Sequence, residues 1–248
     1  MRRLFGRRQD AGRASGPDPS PVVQLLRTHG LRALDKQLHL SDLLDQADWL
    51  LDQDAGTITF GGEMVCAAQV LGTQSDTEGT WLWAWANPSV PEAVRNDAEL
   101  VRDFGERQGI AMFTEAEHRI GSSLPPEMLA LIASELTDAD GYYRGPYEGG
   151  AVLVLLRLPD QAPRRDPGDV RRVVRTLGLA PMVFTVPLDR QAVELYLAAT
   201  GLEVQVGTDE VRAFATAKPS VTVRFDRRGR IRDINTTLSQ EDAAPPRQ

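Results

Sequence analysis

Three of the four tryptophans in this 248-residue chain fall at every second position of one short stretch, Thr80-Trp81-Leu82-Trp83-Ala84-Trp85-Ala86-Asn87, which Pro88 closes. Successive side chains of a strand point to opposite faces. The spacing therefore predicts a strand with Trp81, Trp83 and Trp85 on one face and Leu82, Ala84 and Ala86 on the other. Each indole buries of order 150–250 Å² when covered, while the alanine face is shallow enough for a helix or second sheet to approach closely. A strand with two such faces belongs at the centre of a structure.

The elements around it can be read in order. Ser20 and Pro21 have the chemistry of a helix start. Val22, Leu25, Leu26, Leu31, Leu34, Leu38, Leu43 and Leu44 then keep helical spacing across Gly30 and a second start at Ser41-Asp42. Two helices or one kinked helix fit this pattern equally well. Trp49-Leu50-Leu51 and Ile58-Thr59-Phe60 flank a turn containing Gly56 and read as a hairpin. Gly61-Gly62 leads into a strand over 64–73, so three antiparallel strands follow one another, ending in the tryptophan strand. Ser89 and Glu92 have the spacing of a capping box for a helix along Val94, Ala98, Val101 and Phe104 that Gly109 stops. Pro125 opens another helix. Residues 142–147 and 151–158 form a second hairpin whose latter arm is apolar enough to be buried on both faces.

Beyond residue 158 the composition shifts. Three prolines and the run Arg164-Arg165-Asp166 mark a linker over 159–168. Asp166 and Pro167 are expected to start a helix that Gly178 stops, and a second helix runs from Asp189 to Gly201. Four short strands follow at 202–206, 211–217, 221–225 and 231–235, the last two joined by Asp226-Arg227-Arg228-Gly229. The expected fold is α+β: an antiparallel sheet covered by helices over 21–158, then a smaller α+β unit over 169–238, two helices followed by a meander. A basic tail (1–20) and a polar tail (239–248) are expected to be disordered.

Six pieces of the first unit resemble an uncharacterised bacterial family of domains of unknown function. They are Trp49, Gly56-Thr57-Ile58-Thr59-Phe60, Gln69-Val70-Leu71-Gly72-Thr73, the tryptophan stretch from Thr80 to Asn87, Pro88-Ser89-Val90-Pro91, and Gly141-Tyr142-Tyr143-Arg144-Gly145-Pro146. The resemblance covers about residues 21–158. It implies a shared fold and no particular reaction.

Composition removes several classes of function. A net charge of −7 argues against a general nucleic-acid binder, whose affinity depends on neutralising phosphates with Lys and Arg. The single cysteine, Cys66, excludes an internal disulfide and a multi-cysteine metal site, which suits a reducing cytoplasm. The longest apolar run, residues 151–156, is far short of the roughly 20 residues of a membrane helix, and the arginine-rich start has no apolar core of a secretory signal.

No phosphate-binding glycine loop, nucleophile elbow, His-Glu-x-x-His or paired-cysteine motif is present, so neither metal nor cofactor is implied. Glu115, Glu117 and His118 share one loop, which favours a solvated surface over a metal site. The tryptophan face reads as core packing or as an aromatic floor for a ligand, with Trp83 and Trp85 as its site residues; packing is the simpler reading. Asn87 reads as a turn residue or a group projecting into a pocket. Arg144 reads as half of an ion pair with Glu63 or Asp97, or as a clamp on an anionic ligand beside Tyr143. The leading reading is a cytoplasmic binding protein without catalysis, with a protein partner and a role such as immunity proteins have. The alternative is a small-molecule enzyme with its pocket between helices and sheet, using dispersed residues such as Arg144, Tyr143 and His118.

Overall fold

Residue Ser20 accepts a hydrogen bond from the Val23 amide and Pro21 occupies the first turn, so the first helix, α1, starts where its sequence signals place it and runs over Pro21–Leu44. The computed structural model describes residues 20–237, except 45, 46, 122, 123, 167, 185, 187, 216 and 217. The expected tails at 1–20 and 239–248 thus lie outside the described residues, apart from Ser20. At 24 residues α1 is one uninterrupted helix of about 36 Å. Gly30 does not break it: a Cβ at this position would stand 3.1 Å from the Phe184 ring, so glycine gives that ring room to lie on the helix.

The first sheet is built around β3 (Met64–Ser75). β2 (Thr57–Phe60) pairs with residues 64–67 of β3, and β4 (Thr80–Trp83) pairs with residues 72–75, both antiparallel and end to end along one edge. β1 (Trp49–Asp52) extends the sheet from β2, and β5 (Glu117–Arg119) extends it from β4. The other edge takes β7 (Gly150–Arg157), which pairs in turn with β6 (Gly141–Tyr147). A bulge between Val70 and Gly72 inserts Leu71, so Val70 and Leu71 are buried in succession. At Gly72 any Cβ would collide with the Trp81 ring and the Leu82 carbonyl, which explains why β4 can lie so close.

β7 is buried on both faces, as its composition predicts. Leu153 and Leu155 join the main core, whereas Val154 and Leu156 join a smaller one with Leu40, Leu44, Ile58, Phe60 and Cys66. α2 (Asn96–Gln108), a single turn α3 (Ala111–Thr114) and α4 (Pro126–Leu136) follow. α4 is buried from Met128 to Ser134 without a break, because it packs against α1, β6 and β7 together.

The second unit consists of α5 (Val170–Val183), α6 (Arg190–Ala198) and a four-stranded antiparallel sheet ordered β11-β10-β9-β8. Its strands are β8 (Glu203–Val206), β9 (Glu210–Ala215), β10 (Lys218–Phe225) and β11 (Ile231–Thr236). The fold is α+β in both units. α5 and α6 pack on α1 on one side and on this sheet on the other, so α1 serves both units and one buried cluster extends from Trp83 to Val223.

Three local expectations are corrected. Ser89 and Glu92 form no capping box: the Asn87 Oδ1 takes the Ser89 amide, a short 3-10 turn fills Glu92–Val94, and α2 starts only at Asn96. α5 starts three residues later than expected, because Asp169 accepts the Arg171 and Arg172 amides while Asp166 accepts that of Gly168. Nor does Gly178 end α5, which continues through it to Val183.

Candidate functional site

The residues proposed from sequence do not converge. Trp83 is 0% exposed, with its indole N–H donating to the Met112 carbonyl at 3.1 Å. Its ring meets Trp81 and Phe113 edge to face, at centroid distances of 5.5 and 5.9 Å. Trp85 does not share its face, because the strand ends at Trp83 and residues Ala84–Ala86 coil into a 3-10 turn. There the Arg102 guanidinium lies 5.4 Å above the half-buried Trp85 ring. Asn87 holds the following turn through its bond to Ser89.

Tyr143 stands across the sheet, edge-on to Trp49 and Phe60. Arg144 pairs with Glu127 at 3.3 Å, not with Glu63 or Asp97, since Glu127 in the first turn of α4 faces β6. Asp97 is taken instead by Arg157, which binds it with two N–H groups at 2.8 and 3.1 Å and gives a third bond to the Thr137 carbonyl. His118 lies 3.5 Å from Glu115, and among the described residues no three His, Cys, Asp or Glu side chains are placed to hold a metal. Burial pushes the Cys66 thiol up to about 11, with the Asp140 charge adding to the shift, so the sulfur packs as a neutral group.

Charged groups gather elsewhere, along α1. Arg32, Asp35, Lys36, His39 and Asp42 recur at helical spacing on one face. Glu135 from α4 is buried against the first part of this row, with Arg32 Nε at 2.7 Å and Lys36 Nζ at 2.8 Å. Lys36 also donates to the carbonyls of Ser134 and Ala139. Burial alone would raise the Glu135 pKa; His29, Lys36 and Arg32 around it outweigh that and hold it at about 2. Asp35, 3% exposed, accepts from Arg165 at 3.2 Å, from Arg172, and from the Thr176 hydroxyl at 3.2 Å.

Next to this network, a cleft of about 380 Å³ opens between the end of α1 and residues 164–175. Five arginines line it: Arg164, Arg165, Arg171, Arg172 and Arg175. Three aspartates, Asp42, Asp166 and Asp169, share its walls, which leaves the lining with two more positive than negative charges. Arg175 is forked onto Asp42, and Arg164 reaches Asp160 at 3.4 Å on the surface. The Arg171 side chain has no ion-pair partner among the described residues. His39 is held by its Nε2 contact with the Pro163 carbonyl at 2.9 Å.

None of Arg144, Tyr143, Trp83, Trp85 or Asn87 lines this cleft. The apolar stripe of α1 dominates its sequence pattern and masks the charged one beside it. The repeat of Arg32, Asp35, Lys36, His39 and Asp42 at three- and four-residue steps was the available signal, and the partner arginines, more than a hundred residues away, had none.

Residues 23–159, more than half of the chain, match the model of DUF6882, a family of unknown function. The chain belongs to this family. The DUF6882 segment supplies α1, and so one wall of the cleft; the arginine wall comes from residues beyond it. Neither the curated proteins nor the solved structures contain a match to the chain. No described helix of this DUF6882 protein is long and apolar enough to cross a membrane.

Proposed function

We propose that the protein is a cytoplasmic, non-enzymatic binding protein that docks an acidic segment of a protein partner in the arginine-lined cleft beside α1. The observation that carries this reading is the contrast in charge: a chain of net charge −7 concentrates five arginines on one concave site. Long-range repulsion by the rest of the surface disfavours an extended polyanion, while a short acidic segment fits within the cleft's local field. Guanidinium groups suit carboxylates through paired, planar hydrogen bonds. The polar groups of the cleft are mostly held by the scaffold: His39 against a backbone carbonyl, Arg172 and Arg165 on Asp35, Arg175 on Asp42. Such groups present a fixed charge pattern rather than a matched nucleophile and base.

Capture from the native host tests this, using the wild type beside an Arg164→Glu, Arg171→Glu double variant. Both arginines are exposed and neither touches the core. The expected result is one stoichiometric partner with an acidic segment, lost with the variant. Equal recovery by both proteins would contradict the reading.

A further inference from the structure

At the other end of α5 from the arginine-lined cleft, an apolar cavity of about 290 Å³ opens against the start of β11. Pro181 and Phe184 at the end of α5, Val186 and Leu188 in the segment after it, and Ile231 in β11 line it. The walls are fixed from outside. The Phe184 ring lies on α1 at Gly30, and a bridge between Asp189 and Arg230 ties the segment before α6 to the turn that leads into β11. Apolar walls open to water gain free energy when an apolar group covers them. At about 30 Å³ for each water of the liquid, the space equals about ten waters, which suits a ligand of about ten heavy atoms.

One charged residue, Arg230, stands among the described lining residues, and its geometry indicates the other half of the ligand. Its Nε and Nη2 both donate to Oδ2 of Asp226, at 2.9 and 2.8 Å, so the side-on edge of the guanidinium is used and its position is set. The end-on edge, between Nη1 and Nη2, has no acceptor among the described residues. That edge matches the two oxygens of a carboxylate. The charge around it is in excess: Arg227, Arg228 and Arg230 stand in one turn against Asp226 alone, and neither Arg227 nor Arg228 has an ion-pair partner among the described residues. The neighbouring acids are already engaged, Asp189 by Arg27 and the Ala192 amide, and Asp233 by Arg224.

We infer that this cavity binds a small amphipathic carboxylate, whose acyl chain or aromatic ring fills the space beside Phe184 and whose carboxylate lies on the free edge of Arg230. The apolar walls supply most of the affinity, and Arg230 selects the charged end. A fully polar anion finds no partner in the cavity, and a neutral apolar molecule leaves the guanidinium edge unused. The site is distinct from the partner cleft, with which it shares no lining residue. It lies outside the DUF6882 segment, so it belongs to the second unit alone.

Calorimetric titration of the full chain with octanoate, and separately with 3-phenylpropionate, tests the inference, with octan-1-ol as the neutral control. At least one of the two carboxylates should bind saturably at one site per chain, and the tighter of them shows whether the cavity prefers a chain or a ring. Octan-1-ol should bind about tenfold more weakly than octanoate if the chain is preferred, and Arg230→Gln should weaken the preferred carboxylate by about tenfold. Arg230 is on an exposed turn, so Arg230→Gln should unfold within about 4 °C of the wild type and the loss can be assigned to the site. Val186→Trp, which fills the cavity, should abolish binding of both carboxylates. The inference is overturned if neither carboxylate binds the wild type, if octan-1-ol binds as tightly as the preferred carboxylate, or if Arg230→Gln binds as tightly as the wild type.

Discussion

Replacing Trp83 by alanine should remove a large fraction of the stability of this fold. The indole is fully buried between Trp81 and Phe113, and its N–H satisfies the Met112 carbonyl. Burial of about 150–250 Å² at roughly 25 cal/mol per Å² corresponds to about 4–6 kcal/mol of transfer free energy. Observed costs for such truncations are about 3–5 kcal/mol. Against the roughly 5–15 kcal/mol that typically holds a protein folded, that is severe. Trp83→Phe separates the contributions: it keeps an aromatic ring but leaves the carbonyl without its donor, at about 1–3 kcal/mol. Urea unfolding followed by far-ultraviolet circular dichroism measures both variants without relying on the indole that is removed. With a slope of about 2 kcal/mol per molar, Trp83→Ala should lower the midpoint by about 2 M. A cost under about 1 kcal/mol with an unchanged slope would refute the packing argument and return the tryptophan to the surface, as part of a binding face.

Four further outcomes follow from named contacts. Because the folded Glu135 pKa, about 2, lies below its ordinary 4.5, its ion pairs stabilise the protein fully above about pH 4.5 and are lost as the pH falls toward 2; Glu135→Gln should therefore be less stable at pH 7, with the gap closing over that window, and a constant gap would contradict the assignment. Asp97→Ala should cost about 3 kcal/mol, because Arg157 loses a buried partner, while Arg144→Ala should cost at most about 1 kcal/mol, its pair with Glu127 being about a third exposed on each side; denaturant unfolding would show an error if the order were reversed. Gly178→Ala should stabilise by about 0.5–1 kcal/mol, since the position is exposed within α5 with nothing near a new Cβ, whereas a loss of stability would mean that glycine ends the helix there. We propose that 159–168 is the boundary between the units, so limited proteolysis should cut there first and leave two fragments that co-elute through the face of α1 on α5 and α6; first cleavage within 61–87, or separation of the fragments, would refute this.

Local chemistry made much of the fold legible. Ser20-Pro21, the turn at Gly56, the Asp189 cap of α6 and the continuous apolar run of β7 each act through neighbours in sequence, so their signals survive without tertiary knowledge. Where long-range packing decided the outcome, the signals misled. Gly30 looked like an interruption because nothing local shows that Phe184 will need its space. Trp85 looked like a strand residue because alternation continues in the sequence after the backbone has coiled into a turn. Arg144 and Asp97 looked like possible partners, although each pairs with a residue brought in by another element. The charged junction was least legible of all: Asp35 meets Arg165 and Arg172 across 130 and 137 residues of chain, and no local pattern encodes that distance.

The most direct test of the central claim is the binding of a labelled oligo-glutamate peptide to the full chain, followed by fluorescence anisotropy across a salt series. A protein of net charge −7 should repel such a peptide unless a local basic site overrides its overall charge. The account predicts saturable binding at low salt that weakens as salt screens the cleft, and loss of that binding in the Arg164→Glu, Arg171→Glu variant. Absence of binding by the wild type, or equal binding by the variant, would contradict it.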